Sequence, residues 1–324
     1  MVINKEELMK LNSIFRKYGI IVVLVVLICA FGIGNSLFFT ASNFINIIRQ
    51  ISILGIITIG MSFVLISGGI DLSVGSQLSF IGVVTATMLT KYNINPLFAC
   101  IIGILFATLV GITNGVFIAN TKVPPLVATV ATQQILLGLG YVISGGKPIY
   151  GLTPSVKFIG QGYIGPIPTP IIILIIIIII GSFILNKTYL GRYFYAVGSN
   201  DEAARLSGID VIFVRVIAYA MCGLLCGIAA IIMMSRINSG SPTVGGTISM
   251  DVLTAAVIGG VSINGGEGKV FGAMIGVLVI GVLSNGLIIM NISEYYQMII
   301  KGIVLACAIA FDSMNFKKLQ SKAL

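Results

Sequence analysis

With ten carboxylates in 324 residues, there are few places for acid chemistry. Four of them, Asp71, Asp251, Glu294 and Asp312, fall near the ends of long apolar runs. An acid held in hydrocarbon is expensive and marks proton or cation coupling where it occurs. All four are expected within reach of water or headgroups. Asp71 has a second reading, as a cap accepting hydrogen bonds from the first amides of the helix that follows it. Lys301 lies inside the last apolar run, where it reads either as snorkelling toward headgroups or as part of a polar pathway. The chain has no histidine and no nucleophile with a base beside it, so no enzyme is expected. Cys29, Cys100, Cys222, Cys226 and Cys307 all fall inside apolar runs and read as small packing groups, without disulfides. Cys222 and Cys226 share a helix face, but with no histidine in the chain no zinc site is expected.

Phosphate chemistry fares no better. The cradle GxxxxGK[ST] fails at Gly268-Lys269, where Ile263 and Val270 occupy the flanking positions, and at Gly146-Lys147, flanked by Tyr141 and Pro148. Gly160 to Gly165 forms a formal GxGxxG, but Pro166, Pro168 and Pro170 follow where a dinucleotide fold needs a helix. No nucleotide site is therefore expected in this chain.

Uncharged polar side chains remain. Ser67, Ser73, Gln77, Ser79, Asn114, Gln133, Gln134 and Asn285, with the acid Asp71 beside them, are candidates for a pathway, since hydroxyls and amides match a polyol without burying net charge. The competing reading is hydrogen bonding between helices, which membrane bundles use routinely.

Charge gathers away from the termini in one place, Asn186 to Arg215, between two long apolar runs. Ser199 and Glu202 have the spacing of a capping box, and Gly208 supplies a helix stop. Asp201 and Glu202 complement the N-terminus of the helix so defined, and Ala203, Leu206 and Ile209 are expected to give it a small apolar face. A helix of about two turns is marginal alone in water. Its expected partner is another protein.

These residues must be positioned by membrane helices. The chain is 57% hydrophobic and 9% charged, with a mean hydropathy of +1.10, and too few charges remain to coat a soluble surface. The predicted fold is all-α, a polytopic integral membrane protein of about ten spans: 19–39, 48–67, 75–90, 97–119, 125–144, 168–186, 212–234, 248–263, 270–290 and 295–313. The first is too long for a typical signal peptide and is read as retained. Net charge is +9, but the basic residues sit at the ends of apolar runs, which points to lipid headgroups and excludes nucleic acid. An even span count places both termini on one side. That side also holds most of the basic residues, among them Lys5, Lys10, Arg16, Lys187, Arg192, Arg205, Arg215, Lys317 and Lys318. The positive-inside rule makes it the cytoplasm. The chain then divides into a basic N-terminal segment (1–18), a transmembrane domain (19–313) with its cytoplasmic loop at 186–215, and a basic tail (314–324). Gly145 to Ile167 reads as an irregular external cap.

Gly68-Gly69 and Gly265-Gly266 each precede another glycine, with an acid between, and Asn114-Gly115 and Asn285-Gly286 recur further on. A diverged parallel duplication would explain this, as would chance in a chain with 39 glycines. Together, GGIDLSVGS (68–76), AVGSNDEAARLSGI (196–209) and AAVIGGVSINGGEGKVFGAMIG (255–276) resemble the permease subunits of ATP-binding-cassette sugar importers, in the branched-chain amino acid/ribose permease family. The nearest branch is the one that includes ribose, xylose, galactose and autoinducer-2 permeases. The resemblance implies that Glu202, Ala203, Ala204, Arg205, Leu206 and Gly208 form a coupling helix that docks on a separate ATPase subunit. It further implies that ATP and Mg are bound by that subunit and that no cofactor is held by this chain. Expected partners are a second permease copy, an extracellular or periplasmic sugar-binding protein, and lipid, in a bacterial cell membrane. Ribose import is the expected function. An ion-coupled secondary sugar transporter using Asp71 or Asp251, or a passive channel, are the alternatives.

Overall fold

Hydrocarbon offers the backbone no hydrogen-bonding partners, so an apolar chain must satisfy its amides internally. The computed structural model describes residues 5–121 and 123–323, with side chains over 19–121 and 123–310, and does this almost entirely with helices. In order they are α1 (Lys5–Gly34), α2 (Ala41–Ile66), α3 (Val74–Thr90), α4 (Pro96–Asn120), α5 (Pro125–Ser144), α6 (Pro154–Gln161), α7 (Thr169–Lys187), α8 (Tyr189–Ser199), α9 (Asp201–Leu206), α10 (Val211–Ile237), α11 (Ile248–Ile258), α12 (Val270–Ile289) and α13 (Glu294–Ala323). Six of these, α2, α4, α5, α7, α10 and α12, are long and apolar enough to cross a membrane. Residues 19–34 of α1, α3 and α11 are shorter apolar helices. Each of the ten expected spans overlaps a helix, with shifted ends, and among the described residues the six named above are those that meet the length and hydropathy for crossing. The side chain of Asp312 and those of the tail lie outside the described residues.

The shifts have local causes. Asn35 accepts from the Leu37 amide at 2.9 Å and closes a 3₁₀ turn at Ser36–Phe39, ending the first helix early. Thr40 then caps α2 through the Asn43 amide, so α2 starts seven residues before the expected boundary. α11 stops at Ile258, before a Gly259-Gly260 turn. The segment 145–167 is more ordered than expected. β1 (Ile149–Tyr150) pairs antiparallel with β4 (Ser239–Gly240) after α10, and α6 is followed by a hairpin of β2 (Tyr163–Ile164) and β3 (Ile167–Pro168). The formal GxGxxG therefore straddles a helix end and this hairpin.

α2 is the central helix. Its apolar window is 83% buried, against 22% for α5 and 28% for α4 and α7, whose aliphatic side chains face outward. Small and hydroxyl residues let it be surrounded: Ser52, Thr58 and Ser62 each return their hydroxyl to the carbonyl four residues earlier, at 2.7–2.8 Å. α4 and α10 pack most closely through Ala107, Gly111 and Gly115 on one and Gly223 and Gly227 on the other. A Cβ at Gly111 would collide with the Tyr219 carbonyl, and one at Gly223 with that of Ala107. Where lipid is as apolar as the helix surface, such close backbone approach is what drives association.

Candidate functional site

The three sequence motifs meet in space. α2 ends at Ile66, and residues 67–73 run as non-helical backbone, buried except at exposed Gly68 and half-buried Ile70, before α3 begins. Broken backbone at this depth survives only if other groups satisfy it, and three helices contribute. Thr129 of α5 accepts from the Leu72 amide at 3.2 Å, Ser249 of α11 donates to the Leu72 carbonyl at 2.7 Å, and Tyr219 of α10 donates to the Ile70 carbonyl at 3.1 Å. The Cys226 thiol, also on α10, reaches the Val74 carbonyl at 3.1 Å. The Ile66 carbonyl accepts from Gly266, so the two glycine pairs touch rather than occupying equivalent places in two halves. Asn114 lies on α4, the helix after the one opened by its glycine motif, whereas Asn285 lies on α12 itself. That difference in position removes the parallel correspondence.

Asp71 is fully buried, contrary to the expectation that water or headgroups reach it. It does not cap α3 through the first helical amides either. One carboxylate oxygen accepts both the amide and the hydroxyl of Ser73, while the other has no hydrogen-bond partner. The Ser73 hydroxyl accepts from Gln77 at 2.8 Å and from Asn114 at 3.1 Å, and Thr132 donates to Asn114 at 2.6 Å. Asp71, Ser73, Gln77 and Asn114 thus form one buried network across α3, α4 and α5. Ser67 lies nearby at the end of α2, its hydroxyl spent on the Val64 carbonyl. Asn285 is elsewhere, donating to Asn43 at 2.8 Å near the start of α2. Gln133 is half-buried on α5, where its neighbour Thr132 is the residue that joins the network. Sequence reasoning missed Thr129, Thr132, Tyr219 and Ser249. Thr129 and Thr132 share α5, while Tyr219 and Ser249 come from α10 and α11, and each sits amid ordinary apolar sequence.

The polar island sits on this junction. In α8, Phe194 is fully buried against Phe63 of α2, and the Tyr195 hydroxyl donates to the Gly268 carbonyl at 2.7 Å. Partial burial pushes that hydroxyl above its ordinary titration range, keeping it a donor. A Cβ at Gly198 would collide with the Ile66 carbonyl. α9 follows after one residue. Its N-cap is Asn200, whose side chain accepts from Ala203 at 2.9 Å. Ser199 still belongs to α8 and returns its hydroxyl to Tyr195, so the expected capping box is displaced by one residue. Gly208, at φ +82°, closes α9 with paired bonds from Gly208 to Arg205 and from Ile209 to Ala204, a conformation that a Cβ would strain. Arg215 of α10 holds Asp201 at 2.9 Å, and Glu202 and Arg205 pair on the surface at 3.4 Å.

The face of α9 also differs from expectation. Ala204 is buried and Ile209 half-buried against the bundle, whereas Ala203 and Leu206 point away from it, Leu206 being 82% exposed. A six-residue helix, fixed at both ends, presents one large apolar side chain among charged groups.

A fourth polar feature joins α11 to α13. Asp251 and Lys301 form an ion pair at 2.8 Å, with 13% and 16% of their side chains exposed. Lys301 is therefore paired within the bundle instead of snorkelling outward. All five cysteines are free, Cys222 and Cys226 buried and Cys29 and Cys307 on the outer surface.

A bundle of this kind, with six helices long enough to span and a buried break at its centre, defines a multi-pass membrane protein. Residues 43–309 match the family described as branched-chain amino acid transport system / permease component, and the chain belongs to that family of membrane transport components. It is 38% identical over 310 residues to the ribose import permease protein RbsC of Bacillus subtilis (strain 168), covering 95% of this chain and 96% of that one. It is 40% identical over 304 residues to the protein of the same name from Haemophilus influenzae, covering 92% and 94%. It is 38% identical over 308 residues to the L-arabinose transport system permease protein AraH of Escherichia coli (strain K12), covering 94% and 93%. No solved structure gives a significant match.

Proposed function

We propose that this chain is the membrane-spanning subunit of an ATP-driven importer for a monosaccharide, ribose first among them. The observation that carries the reading is α9, a capped, surface-mounted helix whose one large apolar side chain, Leu206, is left without a neighbour. An exposed anchor ringed by Asp201, Glu202 and Arg205 suits a groove on a second protein, with the charges setting register. In this reading Glu202, Ala203, Ala204, Arg205, Leu206 and Gly208 form the coupling element. Ala204 seats the helix, Gly208 ends it, and the others face the ATPase subunit, which binds ATP and Mg. Because α8 rests on Ile66 and on Gly266–Gly268 and α9 follows it after one residue, a rigid-body push on α9 reaches the centre of the bundle through α8.

Sugar is delivered by a binding protein on the opposite side and passes through a dimer of permeases in a bacterial cell membrane, among its lipids. Ten helices cross or enter the bilayer, with both termini in the cytoplasm beside the island. Ser67, Asp71, Ser73, Gln77, Asn114, Gln133 and Asn285 remain pathway candidates. The buried network around Ser73 is better suited to holding the α2–α3 break than to meeting solute. An ion-coupled mechanism has less support, since one oxygen of Asp71 is occupied by Ser73 and Asp251 is paired with Lys301.

The test is uptake of radiolabelled ribose by proteoliposomes that hold this chain with its ATPase and binding protein. Concentrative uptake is expected to require enclosed ATP and the binding protein and to survive an uncoupler. Uptake that proceeds without ATP and collapses with the uncoupler would replace this reading with ion coupling.

A further inference from the structure

At the end of α10 away from the α8–α9 island, the bundle contains a cavity of about 550 Å³. That lies within the roughly 300–1,000 Å³ range of pockets that enclose small molecules. Its charged and amide lining comes from four helices: Gln50 of α2, Arg236 of α10, Asp251 of α11, and Glu294, Gln297 and Lys301 of α13. The Asp251–Lys301 pair lies within it, and aliphatic side chains complete the walls. A buried ion pair contributes little net stability compared with apolar packing of the same volume. Maintaining one beside an open polar space is more than joining α11 to α13 requires.

The lining also states what would fit. Two basic groups, Arg236 and Lys301, face two acidic ones, Asp251 and Glu294, so the cavity carries no formal net charge and offers no advantage to an ion. Lys301 uses one of its three N–H donors on Asp251, and a carboxylate accepts at several positions. The two glutamines add an amide donor and acceptor each. Dense, mixed donors and acceptors with balanced charge are the complement of a neutral molecule bearing several hydroxyls.

We propose that this cavity is a waiting site for a neutral monosaccharide, with the Asp251–Lys301 pair hydrogen-bonding its hydroxyls before it passes inward. The proposal rests on the importer reading above and adds a place in the chain where solute is held.

Two measurements on the full chain separate the proposal from that reading. The first needs no ATPase. Gln297→Cys, in membrane vesicles, is modified by a charged thiol reagent, with the unsubstituted chain as the background for its own cysteines. At ribose about tenfold above a dissociation constant of ~1 mM, occupancy slows modification roughly tenfold. Leucine at the same concentration leaves the rate unchanged. The second compares Asp251→Asn/Lys301→Gln with the native chain in the reconstituted transporter. Ribose taken up per ATP hydrolysed is expected to fall about tenfold, while binding-protein-stimulated hydrolysis persists. Protection by leucine in place of ribose, or no protection together with an unchanged uptake ratio in the double variant, would overturn the site. Protection by ribose in a native transporter that shows no ATP-driven uptake would uphold the site and remove the importer reading instead. If the double variant does not insert, the cysteine measurement alone decides.

Discussion

Leu206 shows what a single residue contributes. A leucine with four-fifths of its surface exposed on a polar, doubly fixed helix does nothing for the fold of this chain. Leu206→Glu, like Ala203→Asp, is therefore expected to leave expression and membrane insertion intact. If α9 docks on an ATPase, a charge in place of the central anchor costs about 2 kcal/mol or more, roughly thirtyfold in affinity. ATP-dependent uptake would then be lost. Normal uptake by both variants would mean that the partner, if any, binds elsewhere. Asp71 teaches the opposite lesson at the same scale. A lone acid near a membrane helix looks functional in the sequence, yet its carboxylate is turned onto the next residue but one and held inside a hydrogen-bonded cluster.

Among the elements, the tightest constraint is between α4 and α10. Their glycines and Ala107 bring the two backbones together, so any larger side chain must separate them. Gly111→Leu is expected to cost roughly 1–3 kcal/mol or more by overpacking. A lower unfolding temperature of the purified chain in detergent would show it, with loss of folded protein in the extreme case. Gly138, which has open space around it, is the control: Gly138→Leu should leave the unfolding temperature close to native. The short α11 and the buried 67–73 segment are held differently, by hydroxyls on neighbouring helices. These elements had to be found in three dimensions, because Ser249 and Thr129 reach them from far along the chain.

At the scale of the whole molecule the distribution of basic residues predicts orientation: by the positive-inside rule both termini and the island are expected on one side. A thiol introduced at Ser207, exposed just after α9, and a tag after Leu324 should therefore both be accessible to an impermeant probe in inside-out vesicles. Both should be protected in right-side-out ones. Opposite accessibility of the two positions would require an odd number of crossings and would undo the ten-helix arrangement.

Much of this was legible beforehand for one physical reason. Each apolar run is its own hydrogen-bonding unit in lipid, so helices could be read from composition, and the island stood out because charge cannot be hidden in hydrocarbon. Local chemistry set the corrections of a few residues: Asn200 rather than Ser199 caps α9, and Thr40 starts α2 early. Partnership between distant segments was not legible. Gly198 under Ile66, Gly266 bonded to Ile66, Asp251 paired with Lys301, and Ala204 rather than Leu206 turned inward all depend on how helices rotate and pack. The sequence by itself determined an all-helical membrane chain with one exposed polar island. Only the tertiary structure decided which polar groups face one another, since lipid drives every span into the bilayer alike and leaves their mutual arrangement to close packing and hydrogen bonds.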